Sequence, residues 1–251
     1  KAFQSFQVEH YIKIFKHYPD LNSLVSYFGD GKSNQALGVF GELNSMLSEY
    51  FVGILAEHAP ERSISMRQAV RKKGGRAIFV EYDLAVGETL TPVYRLLIDQ
   101  ALKEALSRTQ KSGNIYFIAD EFKLLPKLQH IDDALNFGRG LGVRVMAGIQ
   151  SIDQLYDVYG KEKGAVIASG FGSIFAFHTN DGSSREYITN RFGPNMIIYE
   201  YTSSQKNAIA TKERDGNTVE AWDQMELGVG QAVIGLGYDA PFLFQFDEYG
   251  K

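Results

Sequence analysis

Two adjacent carboxylates at the end of an apolar run are the most chemically suggestive feature of this 251-residue sequence. In Asn114-Ile115-Tyr116-Phe117-Ile118-Ala119-Asp120-Glu121-Phe122 the apolar residues predict a buried strand, with Asp120 and Glu121 at its carboxyl end. That is the end at which open parallel sheets bind ligands. One carboxylate there can hold Mg²⁺, usually through water, while its neighbour polarises a water that attacks the γ-phosphate of ATP. Nineteen positions after Asp120 stands Arg139, and thirty after it stands Gln150, closing a strand expected over 143–149. A polar side chain at the tip of a neighbouring strand can hydrogen-bond the attacking water or the γ-phosphate, and a loop arginine can reach a neighbouring subunit's nucleotide. Each also has a plainer reading: the acidic pair as a helix cap, and Arg139 or Gln150 as an N-cap or surface group.

Those residues need a scaffold, and composition bounds it. The chain is 44% hydrophobic and 22% charged, enough for a real core. With 26 Lys+Arg against 30 Asp+Glu its formal charge is −4, so any contact with nucleic acid or anionic lipid has to be local. The lack of Cys excludes disulfides, thiolate metal sites and Cys nucleophiles, and fits a reducing compartment. The five His residues lack metal-ligand spacing, so no zinc site is expected. No apolar run approaches the roughly 18 to 20 residues of a membrane-spanning helix, and the first residues are no signal peptide. The chain reads as a soluble segment of a longer polypeptide.

Residues 1–60 read as an all-α region. Phe6, Tyr11, Ile14 and Phe15 recur near helical spacing, Pro19-Asp20 separates that helix from one over 21–28, and Leu37, Phe40, Leu43, Leu47, Phe51, Ile54 and Leu55 form one face of a helix over 33–58. Residues 61–251 then alternate. Strands are expected over 77–82, 115–119, 143–149 and 173–177, with helices over 124–137, 152–168 and 183–192. Another helix should open at Thr91-Pro92, with Thr as N-cap and Pro at the first helical position. The alternation predicts an α/β fold with a mainly parallel sheet covered on both faces. Residues 231–234 and 242–246 read as edge or hairpin strands.

Taken together, Ile118-Ala119-Asp120-Glu121-Phe122, Gly138-Arg139-Gly140-Leu141-Gly142, Gly148-Ile149-Gln150-Ser151-Ile152-Asp153-Gln154-Leu155, Tyr159-Gly160 and the run from Arg185 to Gly193 resemble the conserved blocks of TraG/TraD-type conjugative coupling proteins. The resemblance implies part of a RecA-like P-loop NTPase core, the half carrying the Walker B acidic pair, behind an all-α region. It also implies a hexameric, DNA-translocating ATPase that couples relaxase-bound DNA to a type IV secretion channel, using ATP and Mg²⁺. Such a protein works at the cytoplasmic side of the bacterial membrane, held there by segments absent from this chain. Carried over residue by residue, Asp120 is the Mg²⁺ carboxylate, Glu121 the catalytic base, Arg139 the arginine finger and Gln150 the γ-phosphate sensor, with Asp120, Glu121 and Gln150 facing the nucleotide. A septal or archaeal-type DNA translocase is one alternative, sharing the acidic pair and the Gln strand but usually not the Tyr159-Gly160 and 185–193 blocks. A non-catalytic DNA- or protein-binding module is another.

One departure is large. The phosphate loop G-x-x-x-x-G-K-[ST] is absent: Gly31-Lys32-Ser33 has its ending, but the first Gly would fall at Ser26, and a helix rather than a strand precedes it. The complete protein is expected to supply that loop, and this chain alone is not expected to hydrolyse ATP. For DNA, the basic stretch Arg62, Arg67, Arg71, Lys72 and Lys73 offers phosphate contacts, although a solvated face explains it as well. Tyr199, Tyr201 and Trp222 offer stacking platforms for single-stranded bases or, more plainly, packing. Tyr11, Phe15, Tyr18, Tyr27 and Phe28 offer a protein-docking surface.

Overall fold

The computed structural model describes residues 5–29, 31–50, 64–72, 74–85, 87–108, 113–125, 127–203 and 208–248. The chain divides into two compact units, Lys1–Ala69 with Arg76–Leu97, and Val70–Gly75 with Ile98–Lys251.

The first unit is built on α1 (Val8–His17), a 3-10 turn leading into α2 (Val25–Phe28), and α3 (Asn34–Tyr50). Part of its aromatic set makes a core. Tyr11 and Phe28 are buried, and Tyr11 meets Phe15 and Phe40 while Phe15 meets Phe28; Tyr18 and Tyr27 remain exposed. Ser33 caps α3 by accepting a hydrogen bond from Ala36 N at 3.1 Å, so Gly31-Lys32-Ser33 joins two helices. The continuation of the expected helix to residue 58, together with Arg62 and Lys73, lies outside the described residues.

The strand expected over 77–82 does not form: these residues join no ladder, and Phe79 is 92% exposed. Apolar sequence makes a strand only where a neighbouring strand offers hydrogen bonds, and none of the described strands does so here. The helix expected from Thr91 starts earlier, as α5 (Gly87–Leu106), after the short α4 (Met66–Arg71). Thr91 is thereby inside α5, its hydroxyl donating to Gly87 O, and Pro92 is interior as well.

The second unit carries β1 (Ile115–Ala119), α6 (Ile131–Asn136), β2 (Val143–Ala147), α7 (Ile152–Tyr159), α8 (Lys161–Gly170), β3 (Ile174–Phe177), α9 (Gly182–Phe192), β4 (Pro194–Ser203), β5 (Ala208–Asn217), α10 (Ala221–Glu226), β6 (Gln231–Gly235) and β7 (Phe242–Gln245). The helix expected over 124–137 is broken, because Pro126 holds Leu125 in extended backbone (ψ 140°) and leaves a 3-10 turn at Phe122–Leu124 and the short α6. β1 and β2 pair in parallel, Ile115 opposite Val143 through Ala119 opposite Ala147. β3, β6 and β7 form an antiparallel sheet, so parallel pairing is confined to β1 and β2 among the described residues.

One face of the parallel pair is core: Ile115, Phe117, Val143, Val145 and Ala147 pack with Ile98 and Leu102 of α5, Ile131 of α6, Leu155 of α7 and Ile167 of α8. The other face carries Tyr116, Ile118 and Met146, each about two-thirds exposed at 68%, 66% and 66%. Cover on both faces, as the strand–helix alternation predicted, is therefore not what these residues show. Arg71, from the basic stretch, pairs with the buried Glu104 of α5 and so ties α4 down rather than presenting a free cation.

Candidate active site

The carboxyl tips of β1 and β2 are stitched beyond the ladder itself. Gly148 N donates to Ala119 O and Phe122 N donates to Gly148 O, both at 2.8 Å. A side chain at 148 would not fit, since a Cβ there would lie 2.3 Å from Asp120 O. This close approach brings the residues that follow the two strands face to face. Gln150 Nε2 donates to Glu121 Oε2 at 2.9 Å, bridging twenty-nine positions of sequence. The other carboxylate oxygen, Glu121 Oε1, is buried without a hydrogen-bond partner among the described residues. Asp120 is exposed beside it. β2 ends at Ala147 rather than at 149, so Gln150 stands in a short loop, where its own N–H is held by Gln154 Oε1 at 3.1 Å.

The structure brings Asp120, Glu121 and Gln150 to one edge, and it does not bring Arg139 there. Arg139 lies in the 3-10 turn Gly138–Leu141 just before β2, exposed, at the amino end of the ladder. Five residues of strand separate the two ends, about 16 Å. Gly142, with φ +79°, makes the turn into β2 and accepts from Ile115 N at 2.9 Å.

Tyr159, at the end of α7, packs against the segment that follows Glu121. The Tyr159 ring stacks on Phe122 with centroids 6.2 Å apart, and its hydroxyl accepts from Leu128 N at 3.1 Å. The segment after Glu121 is thereby anchored to the end of α7.

Sequence reasoning missed a second cluster behind Gln150. Ser151 caps α7 and Asp181 caps α9. Asp181 Oδ2 accepts from Ser151 Oγ at 2.9 Å and from Ser184 N at 2.8 Å, and Ser184 Oγ in turn accepts from Ile152 N at 2.9 Å. Both N-termini are locked together. The hydrogen bonds from Ser184, followed by that from Ser151, hold the Asp181 carboxyl below its ordinary range. A Ser or Asp just ahead of each helix was the available signal; the contact between the two caps had none.

Asp181→Ala should cost about 0.5 to 2 kcal/mol of stability, the range for loss of an N-cap. Because the folded value is depressed, the charge-dependent part of that contribution is complete above the ordinary Asp range and is lost as pH falls through the lowered value. Thermal melts of the native and Asp181→Ala chains should therefore differ by a constant amount near neutrality and converge in acid. A gap that persists unchanged into acid would assign the effect to packing.

Whether nucleotide and Mg²⁺ suit this edge can be judged from its donors. Among the described residues no group of three or more acidic or His side chains could hold a metal alone. Two adjacent carboxylates with one orphaned buried oxygen match Mg²⁺, which is commonly held by one or two carboxylates together with substrate phosphates. The residues fit the cation as a companion of the nucleotide and not as an isolated ion.

Comparison with known proteins bears on the whole chain. Residues 23–229 match the family model described as the type IV secretion-system coupling protein DNA-binding domain. The conjugal transfer protein TraG of Agrobacterium fabrum is 27% identical over 132 residues, covering 52% of this chain and 20% of that protein. Among solved structures, the unbound bacterial conjugative coupling protein TrwBdeltaN70 superposes with a TM-score of 0.72 at 23% identity, over 89% of this chain and 52% of that one. TrwB in complex with ADP and Mg²⁺ superposes with a TM-score of 0.66 at 24% identity, over 89% and 51%. The chain thus spans about a fifth of the length of its curated relative and about half of each solved chain.

Proposed function

The chain belongs to the type IV secretion-system coupling protein family, and we propose that it supplies the acidic half of an ATP-driven DNA translocase that passes relaxase-bound DNA to a secretion channel. The observation that carries the reading is the bond between Gln150 and Glu121 at the paired strand tips, with Glu121 Oε1 left for a further partner. Residues 1–60 are taken as the all-α region and 61–251 as the ATPase core.

In this reading Asp120 holds Mg²⁺, which, when bound with the nucleotide, neutralises charge developing on the phosphates. Glu121 accepts the proton of the attacking water, and Gln150 fixes the rotamer in which Glu121 does so. Contact of Gln150 with the γ-phosphate would compete for its amide, so that the Gln150–Glu121 bond reports the nucleotide state. Arg139, remote from its own subunit's carboxylates, serves the nucleotide of a neighbour in a homohexamer. None of the helices among the described residues is long and apolar enough to cross a membrane, and placement at the cytoplasmic side of the membrane is assigned to segments outside this chain.

The phosphate loop is the part this sequence lacks, which sets a direct test. Calorimetric titration of the chain with Mg-ATP should show no binding tighter than about millimolar, since micromolar affinity needs roughly 8 kcal/mol and the sequence holds no G-x-x-x-x-G-K-[ST] loop to cradle the β- and γ-phosphates. Micromolar binding would place a complete nucleotide site within these 251 residues and overturn the half-site reading.

A further inference from the structure

The hairpin of β4 and β5 is absent from the sequence-based reading of the fold, and its charges are sorted. The run Thr211-Lys212-Glu213-Arg214-Asp215 alternates in sign, and in a strand alternate side chains point to opposite faces. Antiparallel pairing places Tyr199 opposite Lys212, Ile197 opposite Arg214, Ile198 opposite Glu213 and Met196 opposite Asp215. Cross-strand partners share a face. One face therefore carries Tyr199, Lys212 and Arg214, and the other carries Glu200, Glu213 and Asp215 with Met196 and Ile198. Lys212 and Arg214 are exposed, and Tyr199 is 39% exposed.

The root of the hairpin is fixed. Thr218 N donates to Gly193 O at 3.0 Å, closing the ladder at its base. Glu220 accepts from Asn217 N at 3.1 Å and from Asn217 Nδ2 at 3.0 Å. These bonds, first among the causes, hold the Glu220 carboxyl below its ordinary range, with Arg214 contributing last. The acid beside Arg214 is thus already engaged by Asn217. No third strand joins the pair among the described residues, and side chains on both faces are exposed, Tyr199, Lys212 and Arg214 on one and Met196, Ile198, Glu200, Glu213 and Asp215 on the other.

We propose that the Tyr199–Lys212–Arg214 face of this ribbon is a contact surface for single-stranded nucleic acid, the two cations meeting consecutive phosphates and the Tyr199 ring stacking on a base. Lys212 and Arg214 are two residues apart on one face, about 6.6 Å, comparable to the phosphate spacing of an extended strand. An aromatic ring beside a basic track is the combination by which proteins hold single strands without reading sequence. The acids on the opposite face orient the ribbon, since a polyanion is repelled there. The inference rests on the DNA-translocase reading and deepens it by assigning residues that the net charge of −4 leaves unassigned.

Fluorescence anisotropy with a labelled oligothymidylate and the complete protein, without nucleotide, tests it. Lys212→Ala with Arg214→Ala should weaken binding and reduce the slope of log K against log salt by about 1.4, the value for two single-strand phosphates. Tyr199→Ala should weaken binding by roughly 5- to 150-fold, with Tyr199→Phe close to the native protein. Glu213→Gln with Asp215→Asn, on the other face, should not weaken it. A native salt slope in the Lys212/Arg214 variant overturns the proposal, as does equal weakening of a duplex by Tyr199→Ala, which would show no stacking on single strands. If that happens while the native protein binds the oligonucleotide and shows DNA-stimulated ATP hydrolysis, the translocase reading stands and only the hairpin assignment falls. A native protein that does neither removes both.

Discussion

In the complete protein, Glu121→Gln should lower ATP turnover by about a hundredfold to ten-thousandfold while nucleotide affinity hardly changes. Gln keeps the size of the side chain and can still accept the bond from Gln150 Nε2, but it cannot take a proton from water. If Glu121 is the base proposed above, what is lost belongs to the transition state alone, and the effect should fall on kcat and spare KM. In barrier terms it is about 3 to 5 kcal/mol. Steady-state hydrolysis, equilibrium binding of a non-hydrolysable analogue and the frequency of DNA transfer by cells carrying the variant give three readouts. Turnover within threefold of the native protein, in assemblies of native size, would remove Glu121 from the chemistry.

Arg139→Ala should lower turnover by about a thousandfold or more, and the position of the residue says how the loss can be repaired. The arginine lies at the amino end of the β1–β2 ladder, about 16 Å from the edge that carries its own Glu121. On the proposed reading, a side chain so placed is directed to a neighbouring subunit's nucleotide and not to one held at its own subunit's carboxylates. Mixing Arg139→Ala subunits with Glu121→Gln subunits should therefore recover part of the activity each lacks, because some interfaces pair an intact Glu121 with an intact Arg139. A mixture that forms hexamers yet stays as inactive as its parents would mean that Arg139 serves only the fold.

Elements with a local signature were legible in the sequence, and those defined by a distant partner were not. β1 announces itself through five apolar residues ending in two acids, and α7 through α9 through their apolar spacing; the same spacing puts Glu121 and Gln150 just past the tips of two strands that lie side by side when they pair in parallel. The 77–82 segment has equally good strand composition but no neighbour to pair with among the described residues. The β4–β5 hairpin was the reverse case. Its second strand is dominated by alternating charge, so its strand character resides in the ladder with β4 and not in its own hydrophobicity. The Asp181 carboxylate shows the same limit at the site: its capping of α9 is local, whereas its bond to Ser151 spans thirty positions.

The open side of the sheets has a cellular consequence. Tyr116, Ile118 and Met146 on one sheet, and Phe175, Phe177, Phe242 and Phe244 on the other, leave large side chains in water. Such strands are what holdase chaperones and quality-control proteases recognise in half-assembled proteins. Expressed as a fragment, this chain would have its abundance set by that triage, whatever its folding free energy in dilute buffer. Co-expression of a segment that covers these residues should accordingly raise the level of the chain in cells.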